Sequence, residues 1–292
     1  MVDLADARQG RGSPCNLIDE STQLTVLPAA VPELLAALSD EELTFQRLAA
    51  ILADFPSIAA RLIFLANSAW AAPVEEITSL EKACVKLGLS LVKSVSISIA
   101  IAAPFDPAKC PAFQSERFWS TAVLVADAAL WLAAHSPHFA DDDLGAVHTA
   151  ALLHNLGLLW MADNLPERTN RAFEIVAADP SLSVPEVLRE KCGADHAQIG
   201  GCLASAWNFP AMIRAAMQHH LDFSYDGENW PVAQLTGYAA SMVHHLDHEI
   251  EVLPEDLRLE RLGISSASRD AVFERLQQRH EQVHEMVKVL FC

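Results

Sequence analysis

The run Ala150-Ala151-Leu152-Leu153-His154-Asn155-Leu156-Gly157-Leu158-Leu159 sets a histidine beside a second metal-capable side chain inside an otherwise apolar helical stretch. An imidazole nitrogen binds a divalent cation, and an amide oxygen can add to it, though without charge. Three more histidines stand at predicted helix ends: His196, directly after Asp195, and the pair His219-His220. Asp195 suits an N-cap, which makes His196 a structural contact. Histidine at a helix C-terminus suits the dipole and needs no metal. A second reading stays open, in which His154, His196 and His219 or His220 converge from three helices as a neutral imidazole site for zinc, iron or manganese. His244, His245 and His248 cluster near another helix end and read as surface. No Gly-rich phosphate loop, G-x-S-x-G elbow or H-E-x-x-H helix occurs, and spacing alone places no histidine or aspartate to activate a serine or cysteine.

The elements that must position these residues are helical throughout. Of the 292 residues 51% are hydrophobic and 20% charged, enough apolar material for one large domain or two smaller ones. A polar lead, 1–20, reads as a flexible tail. Leu27–Pro32 introduces Glu33–Leu38, and Ser39-Asp40 precedes a run with Phe45, Leu48, Ala49, Ile51 and Leu52 at helical spacing. Pro56 breaks it, and Ile58, Leu62, Leu65 and Ala69 form the next apolar stripe. Asn67 and Ser68, before Trp70, are expected to bridge backbone groups at a helix junction. Ser79 is the expected cap of a helix that ends at Gly88. Ser90–Ala103 is rich in Val and Ile, yet it has no partner strand and reads as a buried helix. Pro104, Pro107 and Pro111 mark the internal boundary. Predicted helices follow over Glu116–His135, from Asp141 through His154, and over Val184–Lys191, Asp195–Trp207, Ala211–His220, Pro231–His245 and Ser268–Leu290.

Charge and cysteine usage narrow the function classes. The net charge of −18 is spread along the chain, which argues against nucleic acid and anionic membranes as partners. The longest apolar stretches, such as Val92–Pro104, are interrupted before the roughly 20 residues a membrane span needs. Met1–Ser13 lacks the apolar core of a secretion signal. Cys15, Cys84, Cys110, Cys192, Cys202 and Cys292 show no C-x-x-C pairing and read as reduced structural thiols. A cytoplasmic location is the expectation.

Several of these pieces, in order, resemble one family. They are Leu27-Pro28 with Pro32, Pro56–Ala69 with its Ala-Asn-Ser tripeptide, Ile77-Thr78-Ser79-Leu80 through Leu87-Gly88, Phe118-Trp119, Ala151–Gly157, Asp195–Gly200, Trp207–Pro210, and Ile213 with His219-His220. From about Leu27 to His245 the chain resembles the HDOD domain, a bacterial relative of the HD-type metal-dependent phosphohydrolases. The resemblance implies an all-α, multi-helical, HD-domain-like bundle with a smaller N-terminal helical subdomain. Its parts would be 21–105 for the N-terminal helices, 112–248 for the HD-like bundle and 249–292 for a C-terminal helical extension. It also implies where an HD metal site would stand: near Thr121, at His154 and Asn155, and near Ala240. Only His154 keeps its ligand type, and no carboxylate remains to hold a cation. The implied function is a non-catalytic bacterial signal-transduction module with no cofactor. It would bind a regulatory protein, or a nucleotide or other small ligand, near His154, Asn155, His196, His219 and His220, and could be a homodimer. The alternatives are a nucleotide-binding module, or a metal-dependent phosphohydrolase or phosphodiesterase, using that cleft.

Overall fold

The computed structural model describes residues 14–19, 34, 43–68, 71–73, 75–103, 105–248, 250 and 253–291. Of the expected tail 1–20, residues 1–13 and 20 lie outside them, as do the stretch around Leu27–Leu38 bar Leu34, Ala69, Trp70 and Cys292; residues 14–19 are not a loose tail, since Ile18 is buried and Cys15 is disulfide-bonded. Among the described residues every regular element is a helix. A short α1 (Asn16–Asp19) precedes a small group made of α2 (Phe45–Ala53), α3 (Pro56–Ala66), α4 (Leu80–Leu87) and α5 (Leu89–Ala102). The larger bundle holds α6 (Ser115–Ala133), α7 (Leu144–Leu153), α8 (Leu156–Asn164), α9 (Pro166–Ala178), α10 (Val184–Cys192), α11 (His196–Ala206), α12 (Ala211–His219) and α13 (Trp230–Asp247). Two more follow, α14 (Leu257–Arg261) and α15 (Ser266–Phe291).

Local chemistry sets the ends of these helices. Thr44 caps α2 and Ser79 caps α4, each side-chain oxygen accepting from the third amide beyond it. Pro stands in the first turn of α3, α9, α10 and α13, where its missing N–H costs nothing. Asn67 bridges as expected: its Nδ2 donates to Ile63 O (3.0 Å) and Ile77 O (2.7 Å), and its Oδ1 accepts from Ile77 N (2.8 Å). The chain leading into α4 is thereby pinned to the end of α3.

The axis of the large bundle is α6, which is buried along most of its length from Phe118 to Ala133 and packs against α7, α13 and α15. The helix α15 also touches α3, and Arg61 of α3 donates to Leu290 O, so the C-terminal helix spans both groups. A buried polar chain ties them further. Arg279 Nε donates to Asp127 Oδ2 (2.5 Å), Asp127 Oδ1 lies 3.5 Å from His148 Nε2, and His148 Nδ1 pairs with Ser94 Oγ (3.1 Å). Burial alone would raise the Asp127 carboxyl, but the His148 hydrogen bond and the Arg279 charge bring it below its ordinary value. The structure brings a serine, a histidine and an aspartate together that spacing along the chain did not. The three residues come from three helices, so spacing could not reveal them. With the carboxylate committed to Arg279, the arrangement is a structural link.

Two more expectations change. Cys15, just before α1, and Cys202 of α11 form a disulfide joining residues 187 apart, with Cα atoms 5.3 Å apart. Cys84, Cys110 and Cys192 are free and buried. One stretch, Asp141–Asn164, is also long and apolar enough to cross a membrane by length and composition, although 67% of its apolar window is buried inside the fold. That burial explains the apolarity without a membrane.

The tightest backbone approach lies at α8. A Cβ on Gly157 would stand 1.9 Å from His196 O and 2.6 Å from Gly200 N, and one on Gly237 would stand 2.0 Å from His220 O. No side chain fits in either place, because backbone must move to admit it. Gly157→Ala is therefore expected to destabilise the protein by about 3 kcal/mol or more. Gly145→Ala, with no atom within 4 Å of the new Cβ, should be neutral or stabilising by up to about 1 kcal/mol. Denaturant midpoints of the two variants check this, and equal effects would refute it.

Candidate functional site

The apolar helix expected to run through His154 is two helices. His154 ends α7 and Asn155 begins α8, with the break held by a short hydrogen bond from His154 Nδ1 to Ala151 O (2.6 Å). With Nδ1 donating, Nε2 carries the free lone pair; it is buried and makes no hydrogen bond, as is Asn155 Oδ1. The joint thus turns two acceptors into the protein without partners of their own.

Three imidazoles meet behind this joint. The rings of His154 and His220 are 5.0 Å apart edge to face, and those of His196 and His220 are 5.6 Å apart. All three residues are buried. His196 opens α11 behind the capping box of Asp195 and Gln198, as expected, with Asp195 also 3.2 Å from Arg189. His220 Nδ1 pairs with Ala216 O (2.8 Å). His219 is not in the group: it stacks on Tyr225 at 3.8 Å, so of the two neighbours only His220 turns inward.

Burial keeps the cluster uncharged. It drives His154 well below the ordinary imidazole value, with His220 the next cause. Burial, followed by the charge of His220, brings His196 down to about 3, and burial brings His220 down to about 4.

In front of the joint lies a cleft of about 900 Å³. Thr121 of α6, Asn155, His196 and Ala240 of α13 all line it, so positions distant in sequence share one wall. His154 does not line it and is 1% exposed. Phe113, Phe118 and Phe173 build an apolar side, with Phe113 5.3 Å from Phe118. Arg117 supplies a cation at the edge, 3.8 Å from Asp247 Oδ2. His244 and His248, expected as surface residues, also line the cleft. Sequence reading missed Arg117, Asp247 and the aromatic wall. Arg117 stands four residues before Thr121 on one helix face, a spacing that could have indicated it.

The cleft positions do not fit a divalent cation of the HD kind. Ala240 offers no donor, Thr121 and Asn155 offer neutral oxygens, and His154 is turned behind the wall. Nothing in the set compensates a cation for its lost hydration. Nor do His154, His196 and His220 bring three ring nitrogens within 4.8 Å of one another, as a ready imidazole site would.

The dry histidines make folding acid-sensitive in a definite direction. They stay neutral in the folded chain and take up protons near pH 6.5 when unfolded, so the unfolded state binds more protons as pH falls. Stability is expected intact above pH 6.5 and lost from there down toward pH 4, by roughly 2 kcal/mol each for His196 and His220 between pH 6.5 and 5, with His154 acting in the same direction. Unfolding free energies measured from pH 7.5 to 5 check this. A flat profile would contradict the neutral cluster.

The HDOD domain model matches residues 24–223. An uncharacterized protein of Treponema pallidum (strain Nichols) is 24% identical over 252 residues, covering 83% of this chain and 47% of that protein. The chain thus spans about half the length of that curated relative. Among solved structures, a candidate signal transduction protein from Marinobacter aquaeolei VT8 matches with TM-score 0.81 and 20% identity, over 94% of this chain and 64% of that one. An HDOD domain protein of unknown function from Geobacter sulfurreducens matches with TM-score 0.72 and 19% identity, over 95% and 98% of the two chains. A candidate phosphohydrolase from Shewanella amazonensis SB2B matches with TM-score 0.71 and 24% identity, over 96% and 100%. These likenesses carry the fold alone, an all-α bundle of the HD-like kind. With the family model spanning most of the molecule, from before α2 into the turn after α12, the chain belongs to the HDOD domain family.

Proposed function

We propose that this protein is a regulatory module of signal transduction that works by binding at the cleft and does not hydrolyse phosphoesters there. One observation carries the reading. Thr121, Asn155 and Ala240 gather with His196 on the lining of a cavity of about 900 Å³ and bring no carboxylate to it, while the carboxylates that do line it are engaged elsewhere, Glu174 with Asn170 and Arg171 and Asp247 with His280 and Arg117. An HD-type hydrolase needs a divalent cation, held by charge, to polarise phosphate and activate water. The pocket is retained while the means of holding that cation is not.

The cavity falls within the size range of small-molecule sites. Its aromatic side suits a planar or aliphatic group, and Arg117 suits an anionic one. A nucleotide has both features, which supports a ligand-binding reading beside that of a regulatory protein partner. The names of the Marinobacter and Shewanella proteins point one toward signalling and one toward hydrolysis, and the missing carboxylates favour the first.

The test is a thermal-shift series on the full chain with mono-, cyclic and hyperphosphorylated nucleotides, beside Ala240→Trp, which fills the cleft. A ligand at 100 times its Kd should add about 2.7 kcal/mol, or several degrees in Tm, in the parent and not in the variant. The absence of any shift would remove the nucleotide and leave the protein partner. Turnover of a phosphodiester that depends on Mn²⁺ or Mg²⁺ and vanishes in His154→Ala would overturn the whole reading.

A further inference from the structure

A second group of titratable side chains lies at the rim of the cleft, away from the buried histidines. His280 and His284 stand four residues apart on α15, so their rings lie on one helix face, with centroids 4.6 Å apart. Asp247, the last residue of α13, faces them: its Oδ1 is 3.1 Å from His280 Nε2. One ligand atom from each of Asp247, His280 and His284 lies within 4.8 Å of the other two. All three are partly buried.

The partners of these groups leave a place for an ion. His284 Nε2 is buried and makes no hydrogen bond, while its Nδ1 lies 3.8 Å from Glu116 Oε1. Glu116 stands on the Nδ1 side within ion-pair range and Nε2 is open, so a small approach of the carboxylate would give the arrangement that orients a metal-binding histidine. Asp247 divides its oxygens in a similar way, with Oδ1 toward His280 and Oδ2 toward Arg117 at 3.8 Å. An ion would take the position of the proton between His280 Nε2 and Asp247, that proton moving to Nδ1.

We infer that Asp247, His280 and His284 form a binding site for a first-row divalent cation of the zinc type. Two imidazoles and one carboxylate favour zinc over magnesium or calcium, which prefer all-oxygen sets. Zinc bonds of 2.0–2.2 Å place donors about 3.5 Å apart, so side-chain adjustments of about 1 Å close the set. Three protein ligands leave the ion an open position. Asp247 also lines the cleft, which puts the ion at its rim. The site shares Asp247 with the cleft but uses none of Thr121, Asn155 or Ala240, so its test does not depend on the reading of the cleft.

The test uses tag-free full-length protein stripped with chelator. It is titrated with ZnCl₂ by calorimetry and with CoCl₂ by visible absorption, in the parent, in His280→Ala with His284→Gln, and in His244→Ala with His248→Ala. The last pair removes the neighbouring imidazoles of α13, whose centroids are 4.2 Å apart. The expected result is one equivalent of metal in the parent and in the α13 variant, with affinity lower by about 100-fold in the α15 variant, whose fold is checked by circular dichroism. Less than stoichiometric binding in the parent would overturn the inference. Binding that survives in the α15 variant and disappears in the α13 variant would overturn it equally.

Discussion

The contact on which the site depends is the one between bare backbones at Gly157. The first turn of α8 presses on the first turn of α11, and the space where a Cβ would stand is occupied by His196 O and Gly200 N. Gly237 does the same for α13 against His220 O. These two approaches fix where two of the three buried imidazoles begin, before any side chain is considered. The third, His154, is fixed by the break between α7 and α8, where its own Nδ1 replaces the next helical hydrogen bond.

Once the rings are placed, electrostatics follow. Three buried imidazoles, with His220 within about 6 Å of each of the other two, cannot share charge, since each added proton would face both the loss of hydration and its neighbours. The cluster is therefore a neutral polar core, with His154 Nε2 and His196 Nδ1 left without hydrogen bonds. Two of the rings are held by backbone carbonyls, His154 by Ala151 O and His220 by Ala216 O, and all three lie against one another with no carboxylate among them.

Much of this was legible in sequence where the cause is local. The caps at Ser79 and Asp195, the bridging role of Asn67 and the helical content all follow from chemistry within a few residues. The joint at His154 was not legible, because Ala150–Leu159 has no Pro and the only signal of a special contact, Gly157, acts on a helix some 40 residues later. Which of His219 and His220 turns inward is a matter of helix phase at the end of α12, where one residue reverses the answer. The Cys15–Cys202 pairing and the Ser94–His148–Asp127–Arg279 chain join segments too distant for spacing to connect. Among the cleft positions, Thr121 and Ala240 were located only through family resemblance, since neither has a side chain that declares a role.

If the cleft is a binding site, some element must answer to its occupant, and the polar network limits which. The helix α6 carries Arg117 and Thr121 on the cleft and Asp127 on the buried link to Arg279 and His148. Sliding α6 would break that link and leave a buried carboxylate unpaired, at about 3–5 kcal/mol. Coupling between sites is typically 1–3 kcal/mol, which is less. The axis of the bundle is thus held in register whatever the cleft contains. The connection between α9 and α10 is different: Pro180, Ser181, Leu182 and Ser183 line the cleft and are exposed. Few buried contacts hold them, so moving them costs little. The core of the bundle and this connection thus differ in what a displacement costs, the first fixed by its buried ion pairs and the second held by little.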